Sequence, residues 1–202
     1  PDDARAFATA TINDLADFIA YALDPDFGAV RYAERIARSA ASFEPVRRAA
    51  RDGWVIGTFY RPMLREEFRR EAEAAGTDRV LVVVSIPFPG CLAGAVAAAE
   101  EARAALGGRA VVIAGGGYVS TELRFLDDPA VFDSFDYLAY DAGFGALASI
   151  IDIEEGAPRS RLFRVRYRDE SGRVVASGFP PDEPCVTADE PCVATAPCEA
   201  AC

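Results

Sequence analysis

Residues 80–124 read VLVVVSIPFPG, CLAGAVAAAEEARAALGG and RAVVIAGGGYVSTELR in succession, and their reading decides the fold. Val80 to Val84 is an unbroken, mostly β-branched apolar run, the pattern of a parallel strand covered on both faces. Leu92 to Leu106 is a helix of small residues, able to pack close to a sheet. Ala110 to Ala114 repeats the buried-strand pattern. Together they form one β-α-β unit, which places the loops Ser85 to Gly90 and Gly115 to Thr121 at the same edge of a parallel sheet. Open α/β sheets take their ligands at that edge, beyond the carboxyl ends of the strands.

Upstream, the pattern is mostly helical. Thr11 or Asn13 is expected to cap a helix with Leu15, Phe18, Ile19 and Leu23 on one inward face, ended by Asp24-Pro25. A second helix is expected over Val30 to Ser42, a short third over Val46 to Arg51, and another from Pro62 to Ala75 with Gly76 at its end. Trp54 to Tyr60 reads as a short strand. Downstream, Pro129 to Phe135 reads as a short helix, Tyr137 to Tyr140 as a third strand and Phe144 to Ile151 as the last helix. Leu162 to Tyr167 largely alternates apolar and basic residues, and Arg173 to Ala176 follows after Asp169-Glu170-Ser171-Gly172. That is a β-hairpin signature, expected as a small antiparallel appendage outside the main sheet. The expected organisation is a helical lead-in over 1–76, an α/β core over 77–157, the hairpin over 158–179 and a disordered, low-complexity tail over 180–202.

Composition narrows the function. The net charge of −11 disfavours nucleic acid and anionic lipid, since phosphate contacts need a basic surface. Every basic residue is arginine, and many alternate with acids, as on solvated helix faces. No apolar run reaches the roughly 20 residues that span a bilayer, and PDDARAFATAT lacks a signal-peptide pattern, so a cytoplasmic location is expected. The first residue is Pro1, so the chain is expected to be processed, trimmed or partial. The chain has no histidine, which removes imidazole acid–base chemistry, histidine metal sites and Ser-His triads.

Two loops could carry chemistry. Ser85-Ile86-Pro87-Phe88-Pro89-Gly90 leaves a strand directly and precedes a helix. Ser85 offers a hydroxyl, two prolines set the loop's shape, and helix-start N–H groups favour an anion; the plain alternative is a rigid connector. Gly115-Gly116-Gly117-Tyr118 allows close backbone approach and positive φ. It is neither GxGxxG nor a P-loop, so nucleotide binding of the usual kinds is unsupported. Thr121 to Arg124, Asp136 and Asp141 are weaker candidates whose ordinary roles are capping and turn formation.

SIPFPG, GGGYVSTELR one helix later, and then DDPAVFDSFDYLAYDAG resemble the cobalamin-binding domain of a subfamily of radical S-adenosylmethionine enzymes. NDLADFIAYALDPDFG and RYAERIARSA are similar to that subfamily's helical lead-in, and the resemblance covers about residues 12–176. It implies an α/β, flavodoxin-like (Rossmann-like) doubly wound parallel sheet holding a corrinoid at its carboxyl edge. It further implies that Ser85, Gly115 and Gly116 approach the cofactor's nucleotide tail, with Gly117 and Tyr118 extending the wall and Pro87, Phe88, Gly90, Thr121 and Asp141 beside it. No catalytic and no metal-ligating residue is expected in this chain. Many cobalamin domains supply a histidine to cobalt from a DxHxxG loop; here cobalt would lack a protein imidazole. Where the subfamily has a DDGE-like segment, this chain has Asp141-Ala142-Gly143-Phe144.

Such enzymes also carry a partial barrel whose CxxxCxxC motif holds an iron–sulfur cluster for S-adenosylmethionine. After Cys91 the cysteines are Cys185, Cys192, Cys198 and Cys202. Cys198 to Cys202 has CxxxC spacing without a third ligand. The expectation is therefore a corrinoid-binding module that catalyses nothing alone and partners a radical S-adenosylmethionine barrel, which would hold the cluster. The alternative is a non-enzymatic, flavodoxin-like sensing or protein-interaction domain.

Overall fold

The computed structural model describes residues 2–28, 42–126 and 128–179. The expected helix over Val30 to Ser42 lies almost wholly outside them, as does the tail over 180–202. The chain divides into two compact units, one of residues 1–74 and 88–105, the other of residues 75–87 and 106–202.

The first unit is helical: α1 (Asp2–Ala22), α2 (Glu44–Asp52), α3 (Arg61–Ala74) and α4 (Leu92–Leu106, of which all but the last residue belong here). Helix α1 starts well before the expected caps, with Asp2 and Asp3 in its first turn, where carboxylates complement the helix dipole. Thr11 is inside the helix, its hydroxyl donating to the Phe7 carbonyl four residues back. No residue of α1 is buried, and Leu15 and Phe18 are more than half exposed, so the inward face expected of it is not formed. Asp24, 2% exposed, does end the segment. Its carboxylate accepts from the Asp26 and Val55 N–H groups.

Trp54 to Tyr60 is helical, not a strand. Ile56–Tyr60 forms a wide turn in which the Arg61 N–H reaches back to the Ile56 carbonyl, and α3 continues directly from it. Pro62 explains the widening, since its ring and missing N–H disturb an ordinary helical turn. Local β-propensity in Val55, Ile56 and Thr58 is overridden by burial of Ile56 on the helix.

The second unit holds a five-stranded sheet: β1 (Val80–Ser85), β2 (Ala110–Gly115), β3 (Tyr137–Ala139), β4 (Val165–Arg168) and β5 (Val174–Ser177). The architecture is α/β. Helices α5 (Gly117–Thr121) and α6 (Phe144–Glu154) follow β2 and β3. β1, β2 and β3 run parallel, whereas β3–β4 and β4–β5 are antiparallel. β4 and β5 thus extend the main sheet, which corrects the expectation of a separate appendage. The reason is exposed by register: Tyr137 opposes Tyr167, and both are buried with Val165 in a core completed by Ala146 and Ile150 of α6. Alternation within β4 sends its apolar side chains to that core.

Strand order is β1-β2-β3-β4-β5. Both parallel crossovers step to the same side, so among the described residues the sheet lacks the order reversal of a doubly wound fold. β2 is buried from Ala110 to Ala114, as its composition requires, and only Gly115 at its end is partly exposed. β1 is only partly buried, with Val83 55% exposed, because it lies at the sheet edge.

Candidate functional site at the carboxyl edge of the sheet

The parallel register pairs Ser85 with Gly115 at the ends of β1 and β2. The chain beyond these residues stays joined. The Ile86 N–H donates to the Gly115 carbonyl at 2.7 Å, and the Tyr118 N–H donates to the Ile86 carbonyl at 3.0 Å. The two loops therefore leave at one edge, side by side, as the β-α-β reading requires.

The reason for the glycines differs from the one the sequence implies. Gly116 has φ +103° and ψ −179°, a conformation essentially confined to glycine. A Cβ there would stand 2.9 Å from both the N and the O of Ile86. A Cβ on Gly117 would lie 3.3 Å from the Pro87 carbonyl, and one on Gly115 would lie 3.4 Å from that of Ala139. At Gly116, therefore, the close approach that a side-chain-free position permits is made by the protein's own backbone, whereas the contacts at Gly117 and Gly115 are milder. Ile86 (0% exposed) and Tyr118 (4%), whose backbones join the two loops, are both buried.

Ser85, Pro87 and Gly117 are exposed on this rim. Thr121 is also exposed, but its hydroxyl donates to the Gly117 carbonyl at 2.8 Å, closing the short α5 turn. Phe88, half-exposed, and Gly90, buried, belong to the first unit, where Phe88 accepts from Cys91 N–H around a tight turn.

Asp141 lies just past β3 with φ +60°. Its carboxylate takes Arg124 at 2.9 Å and Arg164 at 2.7 Å, while its N–H donates to the Ser120 hydroxyl. A residue expected to face ligand is thus the anchor of a two-arginine cluster that ties α5, β3 and the start of β4 together. Arg164 was not legible as part of this rim. Antiparallel pairing of β3 with β4 brings it opposite Tyr140, whose N–H donates to the Arg164 carbonyl. Only a strand joined to the main sheet could carry it there. Asp136, the other bracketing acid, accepts from the Val112 N–H at 2.7 Å, a backbone-capping role at the opposite end of the strands.

Among the described residues, no three His, Cys, Asp or Glu side chains gather to hold a metal ion, and no helix is long and apolar enough to cross a membrane. Cys91 is free and exposed; the other cysteines lie outside the described residues. Comparison with protein-family models, with curated proteins and with solved structures finds no match to this chain.

Proposed function

We propose that this chain is the corrinoid-binding module of a radical S-adenosylmethionine enzyme of the methyl-transfer type, and that alone it binds without catalysing. The observation that carries the proposal is the pairing of Ser85 with Gly115 at the carboxyl ends of adjacent parallel strands. It sets Ser85 to Pro87 beside the GGGYVST segment on one rim, where α/β sheets receive ligands. The bound corrinoid would supply a transferable methyl group on cobalt. The partner barrel would supply the iron–sulfur cluster and S-adenosylmethionine.

The residues accommodate such a group only in part. The gap at Gly116 is taken by Ile86, so the nucleotide tail would not thread between the two loops. It would lie along the exposed outer rim, with the Ser85 hydroxyl, the Pro87 ring and the Gly117 backbone as contacts. No histidine is present to reach cobalt. A flavodoxin-like, doubly wound sheet would be completed by a further strand beside β1, whose outer edge has no strand partner among the described residues.

The test is incubation of the chain with hydroxocobalamin, followed by gel filtration and absorption spectroscopy. Co-elution of a corrinoid spectrum is expected, and Ser85→Trp should abolish it while leaving the melting temperature unchanged, since Ser85 is exposed. Colourless protein after anaerobic reconstitution would overturn the reading. In that case the second reading, a non-enzymatic interaction domain, takes over. The internal packing that accounts for Gly116 without any ligand favours it.

A further inference from the structure

The opposite rim of the same sheet carries a cleft of about 260 Å³. It is built where the parallel strands begin: Arg79 just before β1, Ala110 opening β2, Tyr137 opening β3, with Arg168 ending antiparallel β4. Glu154 closes α6 on one side, and Arg159 follows in the connection to β4. Phe132, Tyr137 and Tyr167, each less than 9% exposed, form the apolar wall.

The charges around this wall are unevenly satisfied. Arg168 is committed, with Asp133 at 2.7 Å and the Phe132 carbonyl at 3.3 Å. Arg159 is not. It forms no ion pair among the described residues, and its guanidinium lies 5.1 Å from the centre of the Tyr167 ring. Stacking on an aromatic face leaves the edge of a guanidinium, with its donors, directed sideways.

Glu154 is held loosely. Its contacts are Arg79 at 3.5 Å and the Tyr137 hydroxyl, which donates at 3.4 Å, both longer than a well-formed hydrogen bond. Burial raises the pKa of the Tyr137 phenol, which keeps its proton available for donation. A cation without an ion-pair partner among the described residues, a carboxylate with spare acceptor capacity and an aromatic wall therefore meet in one small concavity.

We propose that this cleft binds a small carboxylic acid bearing an amino or hydroxyl group and an apolar side chain. Arg159 takes the carboxylate, Glu154 accepts from the amino or hydroxyl group, and Tyr137, Tyr167 and Phe132 receive the apolar portion. The other arginines of the lining are paired, Arg79 with Glu154 and Arg168 with Asp133, so Arg159 offers a single positive charge, which suits a singly charged carboxylate better than a doubly charged phosphate. The site is independent of corrinoid binding at the other rim.

The experiment is titration of the full chain with L-phenyllactate, L-phenylalanine and, lacking the carboxylate, phenethylamine. Binding is read by calorimetry and by backbone NMR shifts. Both acids should bind, shifting Tyr137, Arg159 and Tyr167, and phenethylamine should not. Arg159→Ala should weaken binding about ten- to a hundredfold, the loss expected for a charge-assisted hydrogen bond. Arg159→Lys should recover part of it. Arg159 is exposed, so both variants should keep the parent's circular dichroism. Arg51→Ala, on the first unit, is the control and should bind as the parent does. Failure of both acids to bind at about 20 mM, far above millimolar affinity, would overturn the proposal. So would equal binding of phenethylamine, undiminished binding by Arg159→Ala, or shifts confined to residues away from the cleft.

Discussion

Gly116→Ala isolates the junction on which the carboxyl rim depends. Two costs combine at this position. An alanine forced to φ +103° and ψ −179° bears about 1–3 kcal/mol of backbone strain. Its Cβ would also stand 2.9 Å from the Ile86 N and O, closer than real Cβ contacts come. Those two atoms are fixed by hydrogen bonds to the Gly115 carbonyl and the Tyr118 N–H, so relief means loosening both, at about 1 kcal/mol each. The sum is about 3–5 kcal/mol, a large share of an ordinary domain's stability. At this chain length it corresponds to a fall of roughly 6–20 °C in melting temperature. Urea unfolding followed by circular dichroism measures it, with Gly108→Ala as control. A Cβ on Gly108 meets nothing within 4 Å, and its effect should stay within about 0.5 kcal/mol. A Gly116→Ala loss below about 1 kcal/mol would refute the argument and return the glycine to a ligand-facing role. It follows that bulky replacement of Gly116 cannot separate a binding module from a scaffold, because either would lose stability.

Two further outcomes concern buried polar groups. In the first unit Glu101, 4% exposed, accepts from Arg65 and Arg61 at 2.9–3.1 Å, and Arg61 also pairs with Glu100. The Arg65 hydrogen bond, supported by Arg61 against the effect of burial, holds the Glu101 carboxyl below its usual range near 4.5. Glu101→Gln should cost about 2–3 kcal/mol at pH 7 by leaving Arg65 without a carboxylate and Arg61 with Glu100 alone. A depressed carboxylate contributes its full stability above the unfolded value and loses it as pH falls through the folded one. The gap between parent and variant in urea midpoint should therefore narrow below about pH 4.5, and a pH-independent gap would count against the network. In the second unit the buried Ser149 hydroxyl donates to the Ala146 carbonyl and accepts from the Phe163 N–H at 3.1 Å. Ser149→Ala should destabilise by about 1–2 kcal/mol in thermal unfolding, and no loss would mean that Phe163 finds another acceptor.

The helix Leu92–Leu106 and the strand core Val80 to Val84 stand out in the sequence because they are long or uniformly apolar. Hydrophobic patterning over several residues outweighs local choices in such segments. Trp54 to Tyr60 reads as a strand yet is helical because a short apolar run with β-branched residues carries the same composition in a strand and in a buried helical turn. The rim was half legible. Ser85 and the triple glycine are placed by the β-α-β rule, whereas the Asp141–Arg124–Arg164 cluster depends on long-range register. The amino-rim cleft left no motif, since Arg79, Tyr137, Glu154 and Arg159 are scattered singly along the chain.

Composition and periodicity by themselves determined that the chain contains an α/β sheet, that its first two strands are parallel, and that imidazole chemistry is absent. Those properties follow from local spacing and from which side chains exist. Tertiary structure decided that the strands run in sequential order and that β4 and β5 join the main sheet. It also decided that Gly116 makes room for Ile86. Each of these depends on which distant backbone arrives beside a residue, and a one-dimensional pattern of small and apolar positions is compatible with many such neighbours.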